Sequence, residues 1–119
     1  MIHDTQILDL LESGVKAEGV RQKAIANNIA NLNTPGYRRY DIKFQDILAK
    51  MVEADGPIDS SKLEPEFFQP RTTRVDTTGN DVDLDTEVGE MVKNSSLHTA
   101  YTLLIKKKYE QMKAAIQTF

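Results

Sequence analysis

The chain has 119 residues, no cysteine and a formal net charge of −3. Its length predicts one domain. The absence of cysteine excludes a disulfide framework, a thiol nucleophile and a cysteine-ligated metal, and the small net charge gives no overall attraction to nucleic acid or to an anionic membrane. No apolar run reaches the ~20 residues that span a bilayer, and the first residues lack the basic and apolar regions of a cleaved signal peptide.

The first predicted element is a helix over residues 5–32. Its apolar residues recur at the intervals that mark one face of a helix. Gly14 and Gly19 each weaken a helix by ~1 kcal/mol relative to alanine, so we expect the first half of this helix to be poorly ordered in the isolated chain. The apolar residues are Leu8, Leu11, Val15, Ile25, Ile29 and Leu32.

Four asparagines, Asn27, Asn28, Asn31 and Asn33, crowd the end of this helix. Asparagine is a poor helix former because its amide competes for backbone hydrogen bonds. In a helix interface, however, a buried asparagine can fix the register at some cost in stability. We hypothesise that the asparagines serve specific packing among several neighbouring helices.

The pair Pro35-Gly36 ends the helix and suits the centre of a type II turn. A short amphipathic segment follows, and residues 1–52 are predicted to form the first part of the single domain. Residues 53–81 contain three of the four prolines and little periodicity, which predicts a loop-rich excursion. Within it, the threonine-rich residues 71–79 predict a short strand or hairpin arm.

Residues 82–119 predict a second long helix, which Asp83 or Asp85 would cap. Residues at alternating spacings of four and three run along it without a slip; they are apolar at both ends and polar in the centre. We call this set the heptad line: Leu84, Val88, Met91, Ser95, His98, Thr102, Ile105, Tyr109, Met112, Ile116 and Phe119. The chain is therefore predicted to be mainly α, with two long terminal helices packing as a coiled-coil-like pair and an irregular, partly extended middle region.

The sequence contains only weak matches to catalytic or ligand-binding motifs. Asp81, Asp83 and Asp85 match the start of a calcium-binding loop, but Thr86 and Val92 stand where that loop requires glycine and glutamate. No convergent catalytic set or phosphate-binding loop occurs, and the lysines at 106–108 are interpreted as a solvated helix end. We therefore predict no enzyme activity, metal or cofactor, and neither a nucleic acid nor a small molecule as partner.

The stretch ANNIANLNTPGYRR, residues 26–39, resembles the N-terminal signature of the bacterial flagellar axial proteins, the rod and hook family. The later stretch GNDVDLDTEVGEM, residues 79–91, and the short middle are most similar to the proximal rod members of that family. The residues that match the family motif, and that the resemblance assigns to assembly, are Asn27, Asn28, Ile29, Ala30, Asn31, Thr34, Pro35, Gly36 and Tyr37.

The resemblance implies a structural subunit of the proximal rod of the flagellar basal body, in the periplasm. Such a subunit would be exported by the flagellar type III apparatus without a cleaved signal peptide and without membrane insertion. It would assemble helically and transmit torque from the membrane ring to the distal rod and hook. Its partners would be other flagellar rod subunits and the ring–rod junction protein. The residues expected to pack the helices are Leu8, Leu11, Val15, Ile25, Leu32, Leu84, Val88, Met91, Ile105, Tyr109, Met112 and Ile116.

Three alternatives stay open at this point. Within the family, the chain could be a sibling proximal rod subunit. From a different class, a soluble helical adapter would bind one partner helix through the heptad line. A helical nucleic-acid-binding protein is the weakest of the three.

Overall fold

The computed structural model describes residues 4–54 and 59–118. In chain order the elements are α1 (Asp4–Ala30), β1 (Asp41–Lys43), α2 (Gln45–Glu53), a 3₁₀ turn (Ser60–Lys62), β2 (Glu66–Phe68) and α3 (Leu84–Gln117). The prediction of a mainly helical chain whose long terminal helices pack against each other, with an irregular middle, is confirmed. Phe119, the last residue of the heptad line, lies outside the described residues.

Helix α1 ends where the sequence changes from helix formers to turn residues. After Ala30 the chain turns, and the Tyr37 N–H donates to the Thr34 carbonyl over 3.2 Å. Gly36 has a φ of 74°, which is the positive angle that the third residue of a type II turn requires. The predicted Pro35-Gly36 turn is therefore present.

Helix α3 begins directly after Asp83, whose backbone is extended. The Asp83 side chain makes no capping bond to a backbone N–H; instead it accepts a 2.8 Å bond from the Thr86 hydroxyl. Asp85, in the first turn, lies near the positive end of the helix dipole, where a carboxylate is favoured.

The two long helices run antiparallel along a molecule that measures 66 × 28 × 16 Å. Gly14 of α1 faces Tyr101 of α3, and further along α1 the Glu18 and Asn28 side chains bond to Asn94 and Glu87 of α3. Positions that ascend along α1 thus meet positions that descend along α3. We call this contact the seam.

The middle of the chain covers one side of α1. Strands β1 and β2 pair antiparallel, with Asp41 opposite Phe68. Ile42, Phe44 and Leu63 are buried with Ala17 of α1 in a small apolar core. Partly buried apolar residues enlarge this core: Leu10, Val20, Ile47, Leu48 and Met51.

The predicted strand at residues 71–79 is wrong, because the strands lie at 41–43 and 66–68 instead. Residues 76–80 form a turn in which one Asp76 carboxylate oxygen accepts the backbone N–H groups of Thr78 and Asn80 over 2.8 and 3.0 Å. In a strand, these backbone N–H groups would instead bond to a neighbouring strand. The local Asp76 bonds favour a turn over a strand, in spite of the high threonine content.

The structure gives Gly14 and Gly19 different roles, although both were expected only to weaken α1. A Cβ atom added to Gly14 would lie 2.8 Å from the Tyr101 ring, whereas one added to Gly19 would meet no heavy atom within 4 Å. Gly14 therefore permits the close approach of the two helices at Tyr101, and nothing in the described chain requires a glycine at position 19.

This contrast predicts opposite effects of two matched substitutions. Gly19→Ala should raise the free energy of unfolding by about 0.5–1 kcal/mol through helix propensity alone. Gly14→Ala should lower it by about 1 kcal/mol, because displacing the Tyr101 ring outweighs the same gain. Urea denaturation followed by circular dichroism measures both changes. In a Tyr101→Ala background the Gly14→Ala substitution should become stabilising; a penalty that persists there would show that the ring is not its cause.

Candidate assembly site: the asparagine motif and the helix seam

Asn28 joins the end of α1 to the chain that follows the turn. Its side chain is fully buried. The side-chain oxygen accepts the Tyr40 N–H over 2.9 Å, and the side-chain nitrogen donates to the Tyr40 carbonyl over 2.8 Å. One amide thus satisfies both backbone groups of Tyr40, in the way that a neighbouring strand would. Asn28 therefore holds the returning segment against α1.

A buried carboxylate on α3 completes this junction. Glu87 is fully buried, and its two oxygens accept from Arg39 Nε over 2.7 Å and from Asn28 Nδ2 over 3.2 Å. Burial acts to lower the pKa of Arg39, but the hydrogen bond and the negative charge of Glu87 outweigh burial and raise that pKa above its usual value. The guanidinium is therefore charged, and it neutralises a carboxylate that water cannot reach.

Asp81 fastens the same segment from the other side. One of its oxygens accepts the Arg39 backbone N–H over 2.6 Å, and the other accepts Arg38 Nε over 3.0 Å. We call Asn28, Arg39, Asp81 and Glu87 the latch. Its members come from α1, the segment after the turn, the segment before α3, and α3 itself.

A second polar contact lies further along the seam. The Asn94 side-chain nitrogen donates to the Glu18 backbone carbonyl over 2.6 Å and to the Glu18 carboxylate over 2.9 Å. Arg21 donates to both carboxylate oxygens of Glu18, over 2.7 and 2.9 Å. Among the described residues, no buried side-chain nitrogen or oxygen lacks a hydrogen-bond partner, so these buried polar groups carry no unpaired desolvation penalty.

Asn80 ties the turn before α3 to the end of α1. Its side-chain nitrogen lies 2.9, 3.2 and 2.9 Å from the carbonyl oxygens of Asn31, Leu32 and Thr34. Carbonyls at a helix C-terminus have no partner within the helix, and here a residue distant in sequence supplies one. The Gly36 N–H also donates to the Thr78 carbonyl over 2.9 Å, so the two turns are joined directly.

The other motif residues form local bonds or remain accessible. Asn27 donates to the Tyr37 hydroxyl over 3.0 Å, and that hydroxyl donates to Asn28 over 3.0 Å. Burial raises the pKa of Tyr37, which keeps the hydroxyl protonated as a donor. Asn31 accepts the Thr34 hydroxyl over 3.1 Å. The motif residues that remain exposed are Asn27, Ala30, Thr34, Pro35 and Gly36.

These contacts give the asparagines a role that the sequence hypothesis did not include. Asn28, Asn31 and Asn80 satisfy groups of their own chain, whereas we had expected the asparagines to contact neighbouring helices. Any contact of the exposed motif residues with another chain stays a prediction.

The residues expected to pack the helices separate into two groups. Leu8 and Ile25 are buried, and Leu11, Val15, Leu32 and Ile105 are half-buried. The six remaining residues, all on the heptad line, are exposed in the single chain, so their packing stays a prediction for contacts between chains. These exposed members are Leu84, Val88, Met91, Tyr109, Met112 and Ile116.

Sequence reasoning did not identify Glu87 and Asn94 as residues through which α3 packs on α1. Glu87, Asn94 and Tyr101 are spaced by seven residues, so they form a heptad position of their own beside the heptad line. That spacing was a usable signal, but a Glu or an Asn at a buried position has the same appearance in the sequence as one on the surface.

Among the residues that the structure describes, no group of His, Cys, Asp or Glu could hold a metal ion, and no helix is long and apolar enough to cross a membrane.

Glu87→Gln tests the latch. Glutamine keeps the shape of the side chain but leaves the buried Arg39 guanidinium without its nearest counter-charge, so we expect a loss of about 3 kcal/mol in the free energy of unfolding. Glu110→Gln, at an exposed position of the same helix, should change stability by less than about 0.5 kcal/mol. Urea denaturation compares the two; equal effects would mean that the buried charge pair contributes nothing specific.

Asn80→Asp tests the contact between the turns. The carboxylate would face three carbonyl oxygens without a proton to donate, which should cost about 3 kcal/mol. Because the ionised form is the penalised one, the pKa of the introduced carboxyl would be raised in the folded state. The penalty should be full at neutral pH, shrink as the pH falls through that raised pKa, and be largely gone below the unfolded-state pKa of about 4. Asn33→Asp, at an exposed position, is the matched control at each pH. A penalty independent of pH would rule out charge as its cause.

Comparison with known proteins finds related sequences over α1 and beyond it. A family model described as flagella basal body rod protein matches residues 8–38, which comprise most of α1 and the turn after it. The flagellar basal body rod protein FlgB of Proteus mirabilis is 32% identical over 116 residues, covering 82% of this chain and 83% of that protein. FlgB of Bacillus subtilis is 27% identical over 115 residues, covering 89% of each chain.

A rod protein of another type matches only in part. The flagellar basal-body rod protein FlgG of Caulobacter vibrioides is 41% identical over 56 residues, which is 47% of this chain and 21% of that protein. The similarity to FlgB proteins, in contrast, extends over most of both chains. The chain belongs to the flagellar basal body rod proteins of the FlgB type, a family of structural proteins and not of enzymes.

Proposed function

We propose that this chain is a structural subunit of the proximal rod, which assembles helically through its terminal helices and transmits torque from the membrane ring to the distal rod and hook. Its partners would be other rod subunits and the ring–rod junction protein. It would reach the periplasm through the flagellar type III export apparatus without a cleaved signal peptide.

The observation that carries the proposal is the exposed apolar surface on α3 beside a polar seam. Within the chain, register is fixed by the latch and by the Glu18–Asn94 contact. The heptad line is left exposed beside the seam, with Val88 46% and Tyr109 52% accessible. Exposed large apolar residues clustered along one face of a helix indicate a contact with another protein. A helical assembly uses different surfaces of each subunit to contact its neighbours, and this apolar face is available for such a contact.

The shape of the molecule also suits a load-bearing wall. Two antiparallel helices in a body 66 Å long and 16 Å thick can lie side by side with those of neighbours. Torque applied across such a wall would pull the two helices past each other. The buried Glu87–Arg39 and Glu18–Asn94 contacts resist that sliding, because a shift of register would leave buried charges unpaired.

The test is incorporation into basal bodies in a strain that lacks its own FlgB-type rod protein. Unaltered chain should restore swimming and co-purify with basal bodies. Met91→Glu and Met112→Glu, both in the heptad line, should abolish both, because a carboxylate would be buried between subunits. Leu103→Glu is the matched control, since Leu103 is 60% exposed on the same helix but outside the heptad line, and it should assemble normally.

Circular dichroism of each purified variant should match that of the unaltered chain, which separates an assembly defect from misfolding. Normal rods built from Met91→Glu or Met112→Glu subunits would overturn the role of this face. A stable one-to-one complex with a soluble protein, in place of basal-body association, would favour the helical adapter.

A further inference from the structure

The heptad line has an internal symmetry that rod assembly does not explain. In an antiparallel pair of α3 helices whose two-fold axis passes beside residue 100, each member of the line from Leu84 to Ile116 faces another member. Leu84 faces Ile116, Val88 faces Met112 and Met91 faces Tyr109, and His98 faces Thr102 in the centre. Ser95 faces Ile105, which is the one pair that joins a polar to an apolar residue. The line is thus complementary to itself when one copy is reversed.

The apolar ends of this line are free to make such contacts. Leu84 is 44% exposed, and Ile116 is 74% exposed. The neighbouring flank of α3, with Glu87, Asn94 and Tyr101, is occupied by α1. A second helix on the heptad line therefore has the other flank of α3 open beside it, where Asp85 follows Leu84 and Lys113 follows Met112.

Charge on that free flank selects the direction of pairing. Asp85 and Lys113 are both exposed and occupy the same position of the seven-residue repeat. In the antiparallel pair, equivalent flanking positions meet, so Asp85 of each copy would face Lys113 of the other, twice per pair. In a parallel pair this free flank would instead have to meet the opposite flank of the other copy, which α1 occupies.

We propose that free copies of this chain form a two-fold symmetric dimer through antiparallel packing of α3 on α3 along the heptad line. The occupant of the exposed face before assembly is then a second copy of the chain. The contact is isologous, because the same surface is used on both sides. Since equivalent flanks meet in this pair, the two α1 helices lie on the same side of it. The proposal does not rest on the rod function.

Sedimentation equilibrium of the purified chain tests the pairing. The chain should dimerise reversibly with concentration. Asp85→Lys and Lys113→Glu should each raise the dimer dissociation constant by about tenfold, because each creates two like-charge contacts, and the double variant should restore it. Lys107→Glu, an exposed lysine on the side of α3 away from the heptad line, should leave the constant unchanged. A monomer at all concentrations, or a failure of the double variant to recover, would overturn the proposal.

Cysteine cross-linking tests the direction, since the natural chain has no cysteine. Val88→Cys and Met112→Cys subunits, mixed and mildly oxidised, should form a disulfide between the two variants, because antiparallel packing brings these positions together. Each variant alone should stay largely monomeric on denaturing gels, as should Leu103→Cys. Efficient Val88→Cys self-cross-linking would mean parallel packing and would contradict the proposal. Neither result depends on basal bodies, so failure here is separable from failure of the rod function.

Discussion

The Glu87 carboxylate receives hydrogen bonds from two side chains that the sequence places far from it, the Arg39 guanidinium at 2.7 Å and the Asn28 amide at 3.2 Å. The position of each of these three groups, the Glu87 carboxylate, the Arg39 guanidinium and the Asn28 amide, depends on its hydrogen-bond partners. The carboxylate is inaccessible to water and requires a counter-charge, Arg39 is positioned by Asp81, and the Asn28 amide is held by the Tyr40 backbone. Long helices can slide past each other when only apolar residues meet, but a slide here would expose or orphan buried charges. The seam therefore has one register.

Much of the fold could be predicted from the sequence, for physical reasons that differ by element. Both long helices were predictable because their apolar periodicity is sustained over many turns, and the Pro35-Gly36 turn was predictable because Gly36 tolerates the positive φ that the turn needs. The three-residue strands were not, since a pairing such as Ile42 with Phe67 depends on contacts that only the folded chain creates.

The seam was hidden for a different reason. Apolar periodicity identified the heptad line as the face of α3 that packs, yet within the chain α3 packs through the adjacent line of Glu87, Asn94 and Tyr101. Paired buried groups have no local signature, because the partner that makes burial tolerable lies elsewhere in the sequence. The motif asparagines were recognisable as a family signature, but their chemistry, a side chain bonding the Tyr40 backbone, became clear only in three dimensions.

Polar and apolar contacts thus serve different purposes in this chain. Buried ionic and amide groups contribute specificity more than net stability, and the intrachain apolar core around Phe44 is small. The apolar residues exposed on the heptad line are the ones that we propose to be covered by other chains. One surface cannot serve two partners at once, so an isologous pair and a heterologous rod contact along this line exclude each other. A dimer of free chains would cover apolar surface that could otherwise drive premature polymerisation. In the proposed rod, neighbours that bury more of each subunit than the dimer does would displace it.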